Sequence, residues 1–457
     1  MLPTAALSSL PKVPTSTEVP SSPVTSPCPR YAQNLAGVGL LCWVLGLLSF
    51  EMLAHVGAGL CLVAALWACP PWEELKKAAY AWRWLLAFVL WALVGPLCFG
   101  YVPKGSGVGR LLLLLALPVA AHAFFLAGPQ WTKRVLWGGM ALWVLSCVAA
   151  ALQHFGFWPT QEWFFKLQFL KSGFARVYEE VPGQPGRYMA GGLSFHRLKF
   201  ANNGSLFVLL SLGLALFAAK HLAARRRWLW VVVCVLGALS IAWFPFARMA
   251  TFSLCVALAF QLFCGISQRK LAWLCILALV VASALAIAWN EGFRNRLVSS
   301  LSEEGSGNRT ALWSAGWRAV SSSPLVGVGA GKFRPSAFPP DGKEMPENVK
   351  AHPGKAHNQA LSIAAESGLI GLLLACMAFF SVAKQFLRQH RFGATGLSIL
   401  LFFACLSLTH DPLFHDVFIL GFMWALGACL ALAQPTSPSA EAVRPPGPTS
   451  AAWVPRP

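Results

Sequence analysis

The chain has 457 residues, of which 56% are hydrophobic and only 12% charged. A soluble domain carries about 25% charged residues, so the composition excludes a water-soluble globular enzyme and implies a membrane protein. The net charge of +19 does not signal a nucleic-acid partner, because the basic residues are scattered between apolar runs and form no continuous stripe.

Residues 1–34 are rich in Pro, Ser and Thr and read as a disordered cytoplasmic tail. No basic stretch adjoins a short apolar core there, so no cleavable signal peptide is expected. Apolar runs follow at 35–50, 53–69, 84–101, 110–128, 135–152, 203–219, 228–246, 249–267, 271–290, 359–383, 395–409 and 414–433. Roughly 20 residues cover the hydrocarbon core. The expected fold is therefore all-α: one polytopic membrane domain over 35–433 with about twelve transmembrane helices, followed by a disordered Pro-rich cytoplasmic tail at 434–457. The first two runs could instead be a hairpin of short spans, which would leave ten. No internal repeat or pair of broken helices in corresponding halves argues for a secondary transporter.

With the N-terminus in the cytoplasm, the inner loops hold fourteen Lys and Arg, including Arg225, Arg226 and Arg227, and the short outer loops three, namely Lys104, Arg110 and Arg248. This inside-positive bias places both long polar loops, 153–202 and 291–358, outside, in the periplasm of a Gram-negative cell. Neither loop contains any of the 13 cysteines, so neither a disulfide framework nor a zinc site is expected. Outside the membrane there is no nucleotide sugar, so any transfer chemistry must use an activated substrate already carried across.

The tenth run opens with Ala356-His357-Asn358-Gln359 and continues through Glu366 to Gly368 and Gly371. Upstream lie Gly307-Asn308-Arg309-Thr310-Ala311-Leu312-Trp313 and Pro324-Leu325-Val326-Gly327-Val328-Gly329-Ala330-Gly331. Over about 305–375 this pattern resembles the bacterial O-antigen ligases, and the wider superfamily that also holds O-antigen polymerases and protein O-oligosaccharyltransferases. The resemblance implies a membrane glycosyltransferase of lipopolysaccharide biosynthesis in the bacterial inner membrane. It would move a glycan from undecaprenyl pyrophosphate to a sugar hydroxyl of lipid A–core, with the active site facing the periplasm. The other two activities use the same donor and stay open, as does a lipid-linked-glycan transporter. A transporter should carry charged residues within several helices, and here Glu366 is almost alone.

A sugar hydroxyl needs a base, and a departing pyrophosphate needs cations. The chain has only three aspartates, Asp341, Asp411 and Asp416, and no D-x-D pair. A metal-free, cofactor-free reaction is therefore expected, with arginine forks holding the phosphates, and direct attack at the anomeric carbon without a covalent intermediate would make it inverting. His357, at the start of a helix whose partial positive charge disfavours imidazolium, is the candidate base; the competing reading is a helix cap. Arg248 and Arg309 are the candidate pyrophosphate ligands, and an interfacial anchor is the rival for Arg248. Arg318 lies nine residues beyond Arg309, about half a turn round the same helix, so both cannot face the phosphates. Asn358, Arg187, His196, Arg318 and Glu366 are candidate supporting residues. Glu366 lies about 13 Å beyond His357 along the helix and needs a partner or a proton. The outer loop around Arg187, Arg197, Lys199 and Asn202, with Gly191-Gly192-Leu193-Ser194-Phe195-His196, suits an anionic substrate. Gly368 and Gly371 read as helix-packing residues. His410, Asp411, His415 and Asp416 are poor metal candidates on one short turn. Membrane lipids are the remaining expected partner.

Overall fold

The computed structural model describes residues 30–68, 72–157, 180–181, 184–194, 196–217, 224–289, 291–299, 309–339, 354–389 and 392–433. The expected tails lie outside these residues except for 30–34, which are helical. The described chain is almost entirely helical: α1 (Arg30–Leu48), α2 (Glu51–Trp67), α3 (Trp72–Ala81), α4 (Arg83–Val94), α5 (Gly105–Leu113), α6 (Ala116–His154), α7 (Arg197–Phe217), α8 (Ala224–Trp243), α9 (Arg248–Gly265), α10 (Arg269–Trp289), α11 (Glu291–Ser299), α12 (Arg309–Ser322), α13 (Gln359–Leu387), α14 (Gly393–Ser407) and α15 (Asp416–Leu432). A small antiparallel hairpin, β1 (Glu180–Val181) and β2 (Gln184–Tyr188), interrupts them.

Among the described residues, five stretches are long and apolar enough to cross a membrane: Arg30–Leu48, Gly105–His154, Arg197–Phe217, Arg248–Gly265 and Gln359–Leu387. Five further apolar helices have 10–17 residues. The all-α expectation is thus met, and by length and apolarity these five of the expected spans qualify. Several boundaries differ, three of them as follows. The first helix starts at Arg30. The runs at 110–128 and 135–152 join in α6, which breaks sharply at Gly128 (φ 72°, ψ 179°); Pro129 follows and has no N–H to continue the helix. The expected start at 203 moves to Arg197, because Phe200 and Ala201 are buried among the neighbouring helices and draw the polar residues beside them into the first turns.

Helix α7 is the axis of the bundle. Its apolar window is 89% buried, as fits a helix apolar on all sides. It packs against α6, α8, α9 and α15, and its Phe207 ring lies 5.6 Å from that of Trp424. Helices α1 and α2 approach backbone to backbone through glycine: a Cβ on Gly57 would stand 2.3 Å from the Trp43 amide nitrogen. Such contact suits apolar surroundings, where close packing replaces hydrophobic drive.

The apolar face of α12 (Leu312, Ala315, Ala319) forms a second core with Leu361, Ala364 and Ala365 of α13 and with Phe333 and Ala356. Its burial fixes α12 across the first turns of α13, and with it the position of Arg309. Trp313 packs at the edge of this core, whereas Trp317 is exposed.

Candidate active site at four helix starts

Helix α13 starts cleanly because Asn358 caps it: the Asn358 side-chain oxygen accepts from the Leu361 amide at 3.0 Å, satisfying one of the free N–H groups of the first turn. The cap is therefore Asn358, and His357 lies just outside the helix. Its φ is 52°, the left-handed region, which costs on the order of 1–3 kcal/mol in a side-chain-bearing residue. Phe246, at the edge of the same site, is the other non-glycine residue with positive φ among those described.

The turn joining α14 and α15 holds His357 in place. Asp411 accepts from the His357 amide at 2.6 Å and from the Ser362 hydroxyl at 2.6 Å. Asn358 Nδ2 donates to the Leu408 carbonyl at 3.2 Å, and the Leu413 amide donates to Gln359 Oε1 at 2.8 Å. One carboxylate and two amide side chains thus tie the unusual backbone at His357 to a segment more than fifty residues away. The His357 ring stands edge-on to His410, centroids 6.1 Å apart.

His410 in turn lines an open cavity of about 210 Å³ together with Arg197, Asn202, Phe246, Arg248 and Arg309. The lining residues include no carboxylate. Arg248 and Arg309 therefore face one space, and His357 is one side chain away from it. Arg318 turns elsewhere and donates to the Pro339 carbonyl, as the half-turn offset requires. Arg187 lies over the Phe155 ring at 4.4 Å and is not in the cavity wall. Neither is His196, which is an electrostatic neighbour of His415. Gly191 and Gly192 pack onto the end of α6, where Gln153 Oε1 accepts from both amides at 3.0 and 2.9 Å.

Glu366 has its partner. Arg110 Nη2 approaches its carboxylate at 4.0 Å, and the same guanidinium lies 4.0 Å from the centre of the Phe414 ring. The pair joins α5, α13 and the 412–414 turn behind His357, a supporting position. Helix α13 breaks just beyond it, at Gly368 (φ 71°, ψ −179°). Four of the freed backbone groups are met by protein. Val328 and Gly329 donate to the Ala365 and Glu366 carbonyls, both at 2.9 Å. Trp91 Nε1 donates to Ser367 at 3.0 Å, and Leu369 donates to the Pro324 carbonyl at 2.8 Å. The two glycine-containing motifs of the sequence therefore meet here. Gly368 makes room for a loop rather than for another helix.

Electrostatics follow from burial. Burial first, then Arg309, Arg248 and Lys355, pushes the His410 imidazole down to about 4. Burial and Lys355 push His415 down to about 3. Burial raises the Asp411 carboxyl, against the bonds from Ser362 and His357, and burial lowers the Arg309 guanidinium. Both histidines are neutral at pH 7. A histidine whose pKa falls on folding binds fewer protons in the native state, so stability rises with pH across the gap. For His410 that window runs from about 6.5 down to about 4. Asp411 acts in the opposite sense in its own window. The thermal midpoint of the wild type is expected to fall as pH drops from 7 to 4, and His410→Asn should flatten that slope. An unchanged slope in the variant would refute the assignment.

The sequence places Arg197 and Asn202 in an outer loop suited to an anion without singling them out, offers His410 and Asp411 only as poor metal candidates, and gives no signal for Ser362. The run His410-Asp411 through His415-Asp416 was the available signal, and it points to a clamp and a cavity wall rather than to metal ligands.

These apolar helices define a multi-pass membrane protein. Residues 244–376 match the family model described as O-antigen ligase, so the resemblance to that superfamily is borne out. The matched segment holds Arg248, Arg309, His357 and Gly368, and leaves Arg197, His410 and Asp411 outside. No curated protein matches the chain.

Proposed function

We propose that the protein is an O-antigen ligase, transferring a glycan from undecaprenyl pyrophosphate to a sugar hydroxyl of lipid A–core at the periplasmic face of the inner membrane. The observation that carries this reading is the cavity lined by Arg248 and Arg309, with His357 beside it and no carboxylate in its wall. His357 takes the acceptor hydroxyl proton. The acceptor oxygen bonds to the anomeric carbon as the bond from that carbon to the phosphate oxygen breaks. The leaving pyrophosphate keeps the electron pair, and its growing charge is met by the guanidinium forks. One displacement without a covalent intermediate inverts the anomeric centre. Asp411 and Asn358 position His357 through its backbone.

The test is a gel of lipopolysaccharide from a deletion strain, with the lipid-linked glycan assayed in parallel. Rough lipopolysaccharide with long polymer accumulating on the carrier is expected. A core capped by a single repeat unit would assign a polymerase instead. Normal lipopolysaccharide would overturn both and direct attention to a protein acceptor or to transport.

A further inference from the structure

Helices α7, α9 and α12 each begin with an arginine, and all three arginines line the same cavity. A helix start carries partial positive charge and free N–H groups, which favour an anion there. Arg248 senses both Arg309 and Arg197 as like charges, which places it within electrostatic reach of both. Like charges around one space repel one another, and an anion placed between them relieves that repulsion. Met189 steadies one of them, its sulfur accepting from Arg197 Nη1 at 3.1 Å. A second observation points to a ligand in the same place. Asn202 lines the cavity and is only 7% exposed, and its side-chain oxygen is buried without a hydrogen-bond partner. A buried amide of that kind is costly unless something fills the space beside it. Its two ends can exchange by rotation, so it can offer a ligand either the oxygen or the NH2 donor.

We infer that Arg197 and Asn202, on the first turns of α7, complete a three-arginine pyrophosphate site that is matched to the leaving group more closely than to the intact donor. The identity of the ligand as a leaving group rests on the transfer reading above. The intact donor is a diphosphate diester. The released carrier ends in a phosphate monoester, with a second ionisable oxygen and a charge greater by about one unit near neutral pH. Three guanidinium groups in a partly dry cavity favour the more highly charged species. Product therefore binds more tightly than donor. Turnover then requires a separate hydrolytic reaction that removes the terminal phosphate from the released carrier.

Inorganic pyrophosphate and inorganic phosphate are the probes, titrated into the purified full-length protein in nanodiscs. The wild type is expected to bind pyrophosphate at least tenfold more tightly than phosphate. Arg197→Gln should weaken pyrophosphate at least tenfold with a smaller effect on phosphate, and Arg197→Lys should fall between. Asn202→Asp keeps the side-chain shape, puts a negative charge in the wall and should weaken pyrophosphate comparably, so that the test survives a poorly folding Arg197→Gln. In transfer assays pyrophosphate should compete with donor, and Arg197→Gln should relieve that inhibition. Absence of pyrophosphate preference in the wild type, or wild-type binding in both Arg197→Gln and Asn202→Asp, would overturn the proposal. If binding behaves as expected while the deletion strain makes normal lipopolysaccharide, the anion site stands and the ligase reading fails.

Discussion

His357→Asn is expected to insert and fold normally and to lose transfer activity by about two to four orders of magnitude, the usual contribution of a positioned general base. Asparagine is the informative replacement, because it tolerates the left-handed backbone that His357 adopts. The amide bond to Asp411 and the Asn358 cap can then persist, and only the ring nitrogen is lost. Pyrophosphate binding, which depends on the arginines, should stay near the wild-type value. His410 is the rival base, since it lines the cavity. Burial among the arginines holds it at about 4, which makes it a poor proton acceptor near neutral pH. Transfer should therefore fall far less in His410→Asn than in His357→Asn. Full activity in His357→Asn, measured with lipid-linked donor and purified acceptor, would remove the proposed base. Loss confined to His410→Asn would move the role to the neighbouring ring.

The second large effect concerns the break in α13. Gly368→Ala is expected to destabilise the protein by roughly 4 kcal/mol, combining backbone strain with overpacking. The backbone there has φ 71° and ψ −179°, a region that a side chain strongly disfavours. An added Cβ would stand 2.1 Å from the Leu325 carbonyl oxygen, which is main chain and has little room to yield. The loop 324–329 would be forced off α13, and the carbonyls of Ala365 and Glu366 would lose their donors inside the membrane domain, where no water replaces them. Gly59→Ala on α2 is the control, because nothing lies within 4 Å of its added methyl; it should be neutral or slightly stabilising. Thermal denaturation followed by loss of the monodisperse peak separates the two. Similar midpoints for both variants would show that the break is tolerant and that the glycine pattern has some other cause.

The two predictions are linked by geometry. The same loop that fills the break at Gly368 leads from α12, which carries Arg309, toward His357. The capped start of α13 and its break lie about ten residues apart, or about 15 Å of helix. The Arg110–Glu366 pair joins this short segment to α5 and to the 412–414 turn. The segment bearing the base is thus a short rod pinned at both ends, and it holds His357 in a backbone state that isolated chain would leave.

What the sequence determined by itself is local. Apolar runs of membrane length located the helices, because hydropathy is a property of contiguous residues. The apolar run beginning at 359 marked the start of α13, whereas the structure shows that Asn358 rather than His357 caps it. The half-turn offset between Arg309 and Arg318 already separated the arginine that reaches the cavity from the one that does not. Other features depended on residues far apart in the chain. Asp411 and His410 read as an ordinary polar turn until packing of α14 and α15 against α13 brought them to His357. Arg197 read as loop until burial of Phe200 and Ala201 extended α7 outward past it. Glu366 found Arg110 on a helix more than 250 positions earlier. The convergence of three arginine-bearing helix starts on one cavity is decided by how helices cross. Crossing is set by close contacts such as Gly57 on Trp43 and α12 on α13, and these have no signature in hydropathy or periodicity.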